Sequence, residues 1–294
     1  MSMNLDDGNA LPVQVRPDLP ALAAAVRSSK AHPADLRMFS SRAVWLKKVT
    51  NTFLQPRSLF WLLIKDADFD RLLQPSHEPP ARPLLQRGLE RLWFWPRITD
   101  AAIWVKGREG RRQNPFNYLE IDDQAWILLN EVDRHAPDHE TAILDLGCNS
   151  GRHLDQLWRR GYRNLTGVDG MGEALRIMGE NFPQMTADAH IHHDLFQRFL
   201  TRQQDGAFDL VYSHGATVEL VHPSFDIVRH LCRVTRRHVI LLIDENQHAY
   251  PRFWQHEFRR NGFHLARGIR PLGQDLESHG AVSLLVFQRI DLTS

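Results

Sequence analysis

Cysteine is nearly absent: the 294-residue chain has two, Cys148 and Cys232. They lie far apart and in no C-x-x-C pairing, so neither a zinc ribbon nor a secreted disulfide framework can be built from them. Long apolar runs are missing as well. The densest, Leu59 to Ile64, falls far short of the roughly 20 residues a spanning helix needs. Met1 to Val15 holds Asp6 and Asp7 and no apolar segment, which argues against a secretory signal. These absences point to the cytoplasm. Lysine is scarce too, at five residues: Lys30, Lys47, Lys48, Lys65 and Lys106. They help give residues 1–120 a balance of 18 basic to 12 acidic side chains, while the remainder has 18 to 23. The net charge of +1 therefore hides a positive front. Such a front suits an anionic substrate, a membrane surface or nucleic acid, or is simply a solvated face.

What is present is the composition of an ordinary folded protein, 43% hydrophobic and 24% charged, long enough to bury a core without staples. Residues 1–33, with Pro12, Pro17, Pro20 and Pro33, have weak periodicity and are expected to form a flexible tail with one short helix. After Asp35, a candidate N-cap, Leu36, Phe39, Ala43, Leu46, Val49 and Phe53 step by three or four, which predicts an amphipathic helix. Further helical patterns cover Pro56 to Leu73 and Pro83 to Trp95, separated by a break rich in proline and histidine. Residues 34–113 are thus expected to be α-helical, closing in a basic loop that starts at Lys106. Another helical stripe runs through Ile121, Ala125, Leu128, Leu129, Val132 and Ala136.

The period then changes. Short apolar runs at Ala142 to Leu146, Leu165 to Val168, Leu210 to Tyr212 and Val239 to Ile243 are interleaved with helical stretches, the sign of a parallel sheet covered on both faces. Gly262 to Ala266 and Ser283 to Phe287 have no helical pattern between them and predict a terminal hairpin. One segment carries chemistry: Ile143-Leu144-Asp145-Leu146-Gly147-Cys148-Asn149-Ser150-Gly151-Arg152-His153-Leu154 reads as strand, glycine-bearing turn and helix. Glycine there admits close approach of a ligand to the backbone, and the following helix offers free N–H groups. One strand-helix-strand unit later, Leu165-Thr166-Gly167-Val168-Asp169 places a carboxylate at the end of the second strand, where a ribose diol is gripped.

Taken in register, these features resemble the class I, Rossmann-like S-adenosylmethionine-dependent methyltransferases, over roughly residues 120–294. Asp145 to Gly151, Asp169, His193-Asp194-Leu195 and Phe208-Asp209-Leu210-Val211-Tyr212-Ser213 carry the likeness. It implies an α/β fold with a seven-stranded sheet, the last strand antiparallel, in a domain spanning 114–294 behind an N-terminal α-helical region. It also implies that S-adenosyl-L-methionine is the cofactor. Gly147 would border its methionine part and Asp145 would help hold the amino group. Asp169 would bind both ribose hydroxyls, Asp194 would accept from the adenine amino group, and Leu195 would lie near the ring. Cys148, Asn149 and Gly151 of the turn, Gly170, Ser213 and Tyr118 complete the expected cofactor contacts. Asn149 replaces the middle glycine of the family turn, and asparagine tolerates the left-handed backbone. A dinucleotide fingerprint would need glycine at Asn149 and Arg152.

Methyl transfer is an in-line displacement, so the protein has to align the acceptor and, for a hydroxyl, remove its proton. His214 and His222 are the candidate bases, with Glu219 or Glu245 orienting them; loop histidines without a chemical role are the plainer reading. The Asn/Asp-Pro-Pro-Tyr/Phe turn of nucleobase amine methylation is absent, Ser213-His-Gly-Ala standing there, and neither cysteine is placed as a nucleophile. His190, His192 and His193 do not make a convincing metal set. Phe116 and Tyr118 are lid candidates, while Trp93, Phe94, Trp95 and Trp104 suit stacking on a sugar or flat acceptor. Arg108, Arg111 and Arg112 suit a phosphate or carboxylate. Trp45 with Lys47 and Lys48, and Phe60-Trp61 between Arg57 and Lys65, suit peripheral contact with an anionic inner membrane face. The expectation is O- or N-methylation of a small molecule or of a glycan or lipid-linked intermediate. An RNA methyltransferase and a catalytically inactive scaffold are the alternatives.

Overall fold

In the computed structural model, residues 114–215, 218–221, 225–244, 252–269 and 282–290 are described, besides an isolated Val49. The tail, helices and basic and aromatic clusters expected before residue 114 lie outside the described residues, as do His222 and Glu245.

The stripe beginning at Ile121 folds as helix α1, Asp123–His135. Asp122 caps it by accepting from the Ala125 N–H at 2.7 Å, satisfying one of the orphan donors of the first turn. The remaining elements are β1 Ile143–Leu146, α2 Arg152–Arg159, β2 Leu165–Asp169, α3 Gly172–Asn181, α4 Pro183–Asp188, β3 His190–His193, α5 Phe196–Arg202, β4 Phe208–His214, α6 Ile227–Val234, β5 Thr235–Asp244, α7 Trp254–Arg260, β6 Phe263–Ile269 and β7 Val282–Arg289. The strands form one sheet in the order β3-β2-β1-β4-β5-β7-β6. The first five in that order pair in parallel, and β7 runs antiparallel to both its neighbours. The expected antiparallel pairing of the last two strands is present, with β7 inserted between β5 and β6. This is the Rossmann-like seven-stranded methyltransferase sheet.

Alternation along the strands builds two cores, because successive side chains leave a strand on opposite faces. Ile143, Leu210, Tyr212, Ile240 and Leu242 pack with Trp126, Leu129, Val132, Leu154 and Leu157 of α1 and α2. Leu144, Leu146, Val211, Val239 and Leu241 pack with Phe199, Leu231, Trp254 and Phe258 of α5 to α7 on the other face.

Two strands depart from the apolar-run reading. β5 begins at Thr235, ahead of the run at Val239, because Arg236 is held there by a two-pronged pair with Asp209, at 2.8 and 2.9 Å. β3, His-Ile-His-His, is polar and mostly exposed; it is an edge strand whose conformation is set by pairing with β2 from Thr166 to Asp169. Among the described residues no helix is long and apolar enough to cross a membrane.

Candidate active site

Strand order reverses between β1 and β4, and in open α/β sheets the crevice beyond the carboxyl ends of the strands at such a point is where ligands bind. The glycine turn sits there. Gly147, Asn149 and Gly151 all have positive φ, at 88°, 47° and 83°, so the backbone folds back on itself between β1 and α2. Asp169, at the end of β2, locks the turn: its Oδ2 accepts from the Asn149 N–H at 2.9 Å and its Oδ1 from the Met171 N–H at 2.8 Å. A carboxylate has about four lone-pair positions, so both oxygens keep capacity for a diol. Burial raises the Asp169 pKa, and the two N–H donors oppose that rise.

Beneath the turn, Asp145 on β1 is fully buried, and neither carboxylate oxygen has a formed hydrogen bond. Its neighbours across the sheet are Gly167 and Tyr212. Gly167 is closely packed: a Cβ there would lie 2.6 Å from Leu154 Cδ1 and 3.0 Å from Cys148 Sγ, so Leu154 would have to shift. Burial pushes the Asp145 carboxyl up to about 7, against the lowering influence of Tyr212 and Arg152. An unsatisfied buried carboxylate is costly unless a ligand or proton completes it.

The remaining expected cofactor residues fall around this crevice with varied surroundings. Cys148 is buried, and burial together with the charges of Asp169 and Asp145 raises its thiol pKa well above the usual value, so it is no thiolate nucleophile. The Gly170 carbonyl lies 3.2 Å from His193 Nε2. Asp194 Oδ1 accepts from the Leu195 N–H at 2.8 Å and from Arg198 Nε at 2.6 Å, which fixes it before any base could approach. Ser213 is fully buried and donates to the Leu146 carbonyl at 2.8 Å, tying β4 to β1.

Over the turn lies a one-turn 3₁₀ helix, Pro115–Tyr118, begun by Asn114, whose side chain accepts from the Phe116 N–H. The buried Ser150 hydroxyl holds this segment, 3.1 Å from the Pro115 carbonyl and 2.9 Å from that of Tyr118. Arg152 adds a bond to the Glu120 carbonyl at 2.6 Å, an ion pair with Asp122 at 3.2 Å and a guanidinium 5.6 Å from the Tyr118 ring centre. Phe116 is left exposed at the rim, at 54% of its surface.

His214 ends β4, two residues beyond Tyr212 and on the same sheet face. Its Nδ1 is 3.2 Å from Nε2 of His153, whose Nδ1 is 3.8 Å from Asp145 Oδ2. Burial holds the His153 ring down to about 3. His214 is also held well below its ordinary value, first by burial and then by His153 and Arg152. Glu219 is buried in the short turn Val218–Leu220. Sequence reasoning missed His153, Ser150, Arg152 and Asp122. The available signal was position: a residue in the first turn after a glycine loop points back at that loop. Among the described residues no group of three His, Cys, Asp or Glu side chains is arranged to hold a metal.

Residues 143–238 match the family model for the methyltransferase domain. That match covers about a third of the chain, and the sheet of the described residues has the strand order of the class I, Rossmann-like methyltransferase fold. No curated protein sequence matches this chain. Among solved structures, this chain is similar to a ribosomal protein L11 methylase from Lactobacillus delbrueckii subsp. bulgaricus. That match has 18% identity, covers 57% of this chain and 77% of the other, and has a TM-score of 0.43. It is also similar to an S-adenosylmethionine dependent methyltransferase from Mesorhizobium loti, with 15% identity, 56% and 98% coverage and a TM-score of 0.44.

Proposed function

We propose that this chain binds S-adenosyl-L-methionine in the crevice above β1 and β2 and methylates a hydroxyl or amine of a small molecule or of a glycan or lipid-linked intermediate in the cytoplasm. The observation that carries the reading is Asp169, a carboxylate at the carboxyl end of β2 pinned to the glycine turn by two backbone N–H groups. Its free lone pairs suit the cofactor's ribose diol. When bound, the cofactor supplies an electrophilic methyl on a sulfonium that leaves as a neutral thioether.

The chain's own residues then have three tasks. Asp169 fixes the position of the donor, worth much of the barrier when reacting atoms are held in line. The Pro115–Tyr118 turn, with Phe116 exposed at its tip, closes the rim and keeps water out. His214, at the end of β4, takes the acceptor proton. Its lowered pKa keeps the ring neutral, with a lone pair open to that proton. Acceptor selection falls to residues outside this generic domain, including Arg108, Arg111 and Arg112, which suit an anionic group.

Calorimetric titration of S-adenosylmethionine and S-adenosylhomocysteine into the protein, with Asp169→Ala as control, tests the reading. Micromolar binding that is lost in the variant is the expected result. A wild-type protein that binds neither compound would refute it, and an acceptor screen beginning with anionic sugars and lipids follows only from a positive outcome.

A further inference from the structure

Three side chains from three elements line up between the interior of the sheet and the crevice. Asp145 stands on β1, His153 in the first turn of α2 and His214 at the end of β4. The connections enter each imidazole at one nitrogen and leave at the other: Asp145 Oδ2 to His153 Nδ1 at 3.8 Å, then His153 Nε2 to His214 Nδ1 at 3.2 Å. That leaves His214 Nε2 as the last nitrogen of the chain, on a half-buried residue at the carboxyl end of β4. The sheet dictates the alignment. Asp145 is in register with Tyr212, and His214 follows Tyr212 by two, so all three share the face against which α2 packs.

We propose that Asp145, His153 and His214 form a proton relay that carries the acceptor's proton from the crevice to the buried carboxylate. The relay rests on the methyltransferase reading for the identity of the proton it moves. With Asp145 ionised, His153 donates Nδ1–H to its Oδ2 and His214 donates Nδ1–H to His153 Nε2, so His214 Nε2 presents a lone pair. As the acceptor's O–H or N–H bond breaks, its proton bonds to His214 Nε2. The Nδ1 proton of His214 moves to His153 Nε2, and the Nδ1 proton of His153 moves to Asp145 Oδ2. One proton has left the acceptor, one has arrived on Asp145, and both rings end neutral with their tautomers reversed. A hydroxyl oxygen attacks the methyl carbon as its proton leaves, whereas an amine attacks with its own lone pair and keeps the pair of the broken N–H bond as its new lone pair.

This route avoids placing a cation on either buried ring. Depressed histidine pKa values, which would disqualify a ring that had to hold the proton, are then what keeps both rings in conducting, neutral form. Asp145 is the terminus suited to a proton, being fully buried with only the Tyr212 hydroxyl beside it on the sheet face. Charge balances locally as well, since a carboxylate is neutralised while the donor's positive sulfonium becomes a neutral thioether. The other ionisable groups facing the relay are Asp122 at the cap of α1, Arg152 on α2, Tyr212 on β4, and Cys148 and Asp169 beside the turn. The 3.8 Å step is longer than a hydrogen bond, and such contacts tighten when a site is filled. His153 is therefore a positioning and conducting residue, acting on the acceptor only through His214.

Long-range ¹H–¹⁵N correlation spectra of histidine-labelled full-length protein read the tautomers directly, with His153→Gln and His214→Gln assigning the signals. At about pH 8.5, above the folded Asp145 value of about 7, both rings are expected as Nδ1–H tautomers. At about pH 5.5 both are expected as Nε2–H, still neutral, because Asp145 now donates. Asp145→Asn is expected to abolish the reversal. Nε2–H tautomers at both values, unchanged tautomers across the range, or doubly protonated rings at the lower value would each overturn the relay. The wild-type spectra decide this even where a variant fails to fold. Binding of S-adenosylhomocysteine, measured on the same sample, separates the two proposals: binding without the reversal rejects the relay alone, and reversal without binding rejects the methyltransferase reading alone.

Discussion

Asn149 shows how a single residue fits a turn built for glycine. Its φ of 47° is in the left-handed region, where most side chains crowd the following carbonyl at a cost of roughly 1–2 kcal/mol. Asparagine reduces that cost, and its side chain accepts from the Ser150 N–H at 2.8 Å while its own N–H is held by Asp169. Asn149→Gly is therefore expected to keep cofactor affinity within a few-fold. Asn149→Val keeps the size but not the tolerance for this backbone, and its urea unfolding free energy is expected to fall by about 1–3 kcal/mol; equal stability of the two variants would refute the strain argument. The sequence made this position readable, since the departure from glycine falls on the residue type best able to tolerate it. It did not make His153 readable. One of 16 histidines, on a helix that could have turned it anywhere, gains meaning only once Asp145 and His214 are known to share a sheet face.

At the scale of elements, Ser150 joins two segments more than thirty residues apart. Its hydroxyl is buried and lies between two carbonyls of the Pro115–Tyr118 turn, so removing it leaves those carbonyls without that donor. Ser150→Ala is expected to cost about 1 kcal/mol. It should also speed amide hydrogen exchange across residues 114–122 before any other part of the domain, as mass spectrometry of exchanged peptides would show. Uniform loosening of the whole sheet instead would mean that the hydroxyl supports the core rather than the rim. The rim was only half legible beforehand: Phe116 and Tyr118 stood out as aromatic residues ahead of a helix, but the serine that anchors them looked like one more small residue of the glycine turn. The strands divide in the same way. Strands filled with apolar residues announced their positions because burial requires it, whereas β3 and the start of β5 are polar and are strands only because neighbours pair with them or hold their arginine. Local sequence carries no record of a partner contributed from elsewhere in the chain.

For the whole molecule, the buried polar chain that suits chemistry works against stability, and pH separates the two contributions. The folded Asp145 carboxyl titrates at about 7 against an ordinary 3.8. From about pH 4 to about pH 7 the folded chain holds a proton that the unfolded chain has released, so this group makes folding progressively less favourable as pH rises and levels off above about 7. The buried His153 and the half-buried His230 and His238 act in the opposite sense. His153 titrates at about 3 and His230 and His238 at about 4, each against an ordinary 6.5, so the unfolded chain gains protons first and stability falls as pH drops from about 6.5 toward 4. These three rings outweigh the one opposing carboxyl, and the wild-type protein is expected to lose stability on acidification through that window. Asp145→Asn removes the opposing contribution while keeping the side chain's shape. The variant should gain on the wild type as pH rises from about 4, reach its full advantage near pH 7 and keep it above, by an amount on the order of a few kcal/mol. Urea midpoints of both proteins at several pH values across this range check it. A gap that is constant with pH would mean that the carboxyl is ionised and satisfied throughout, which would leave no proton acceptor at the inner end of the histidine pair. A gap that opens as described would mean that the fold tolerates an unfavourable buried acid because the site uses it.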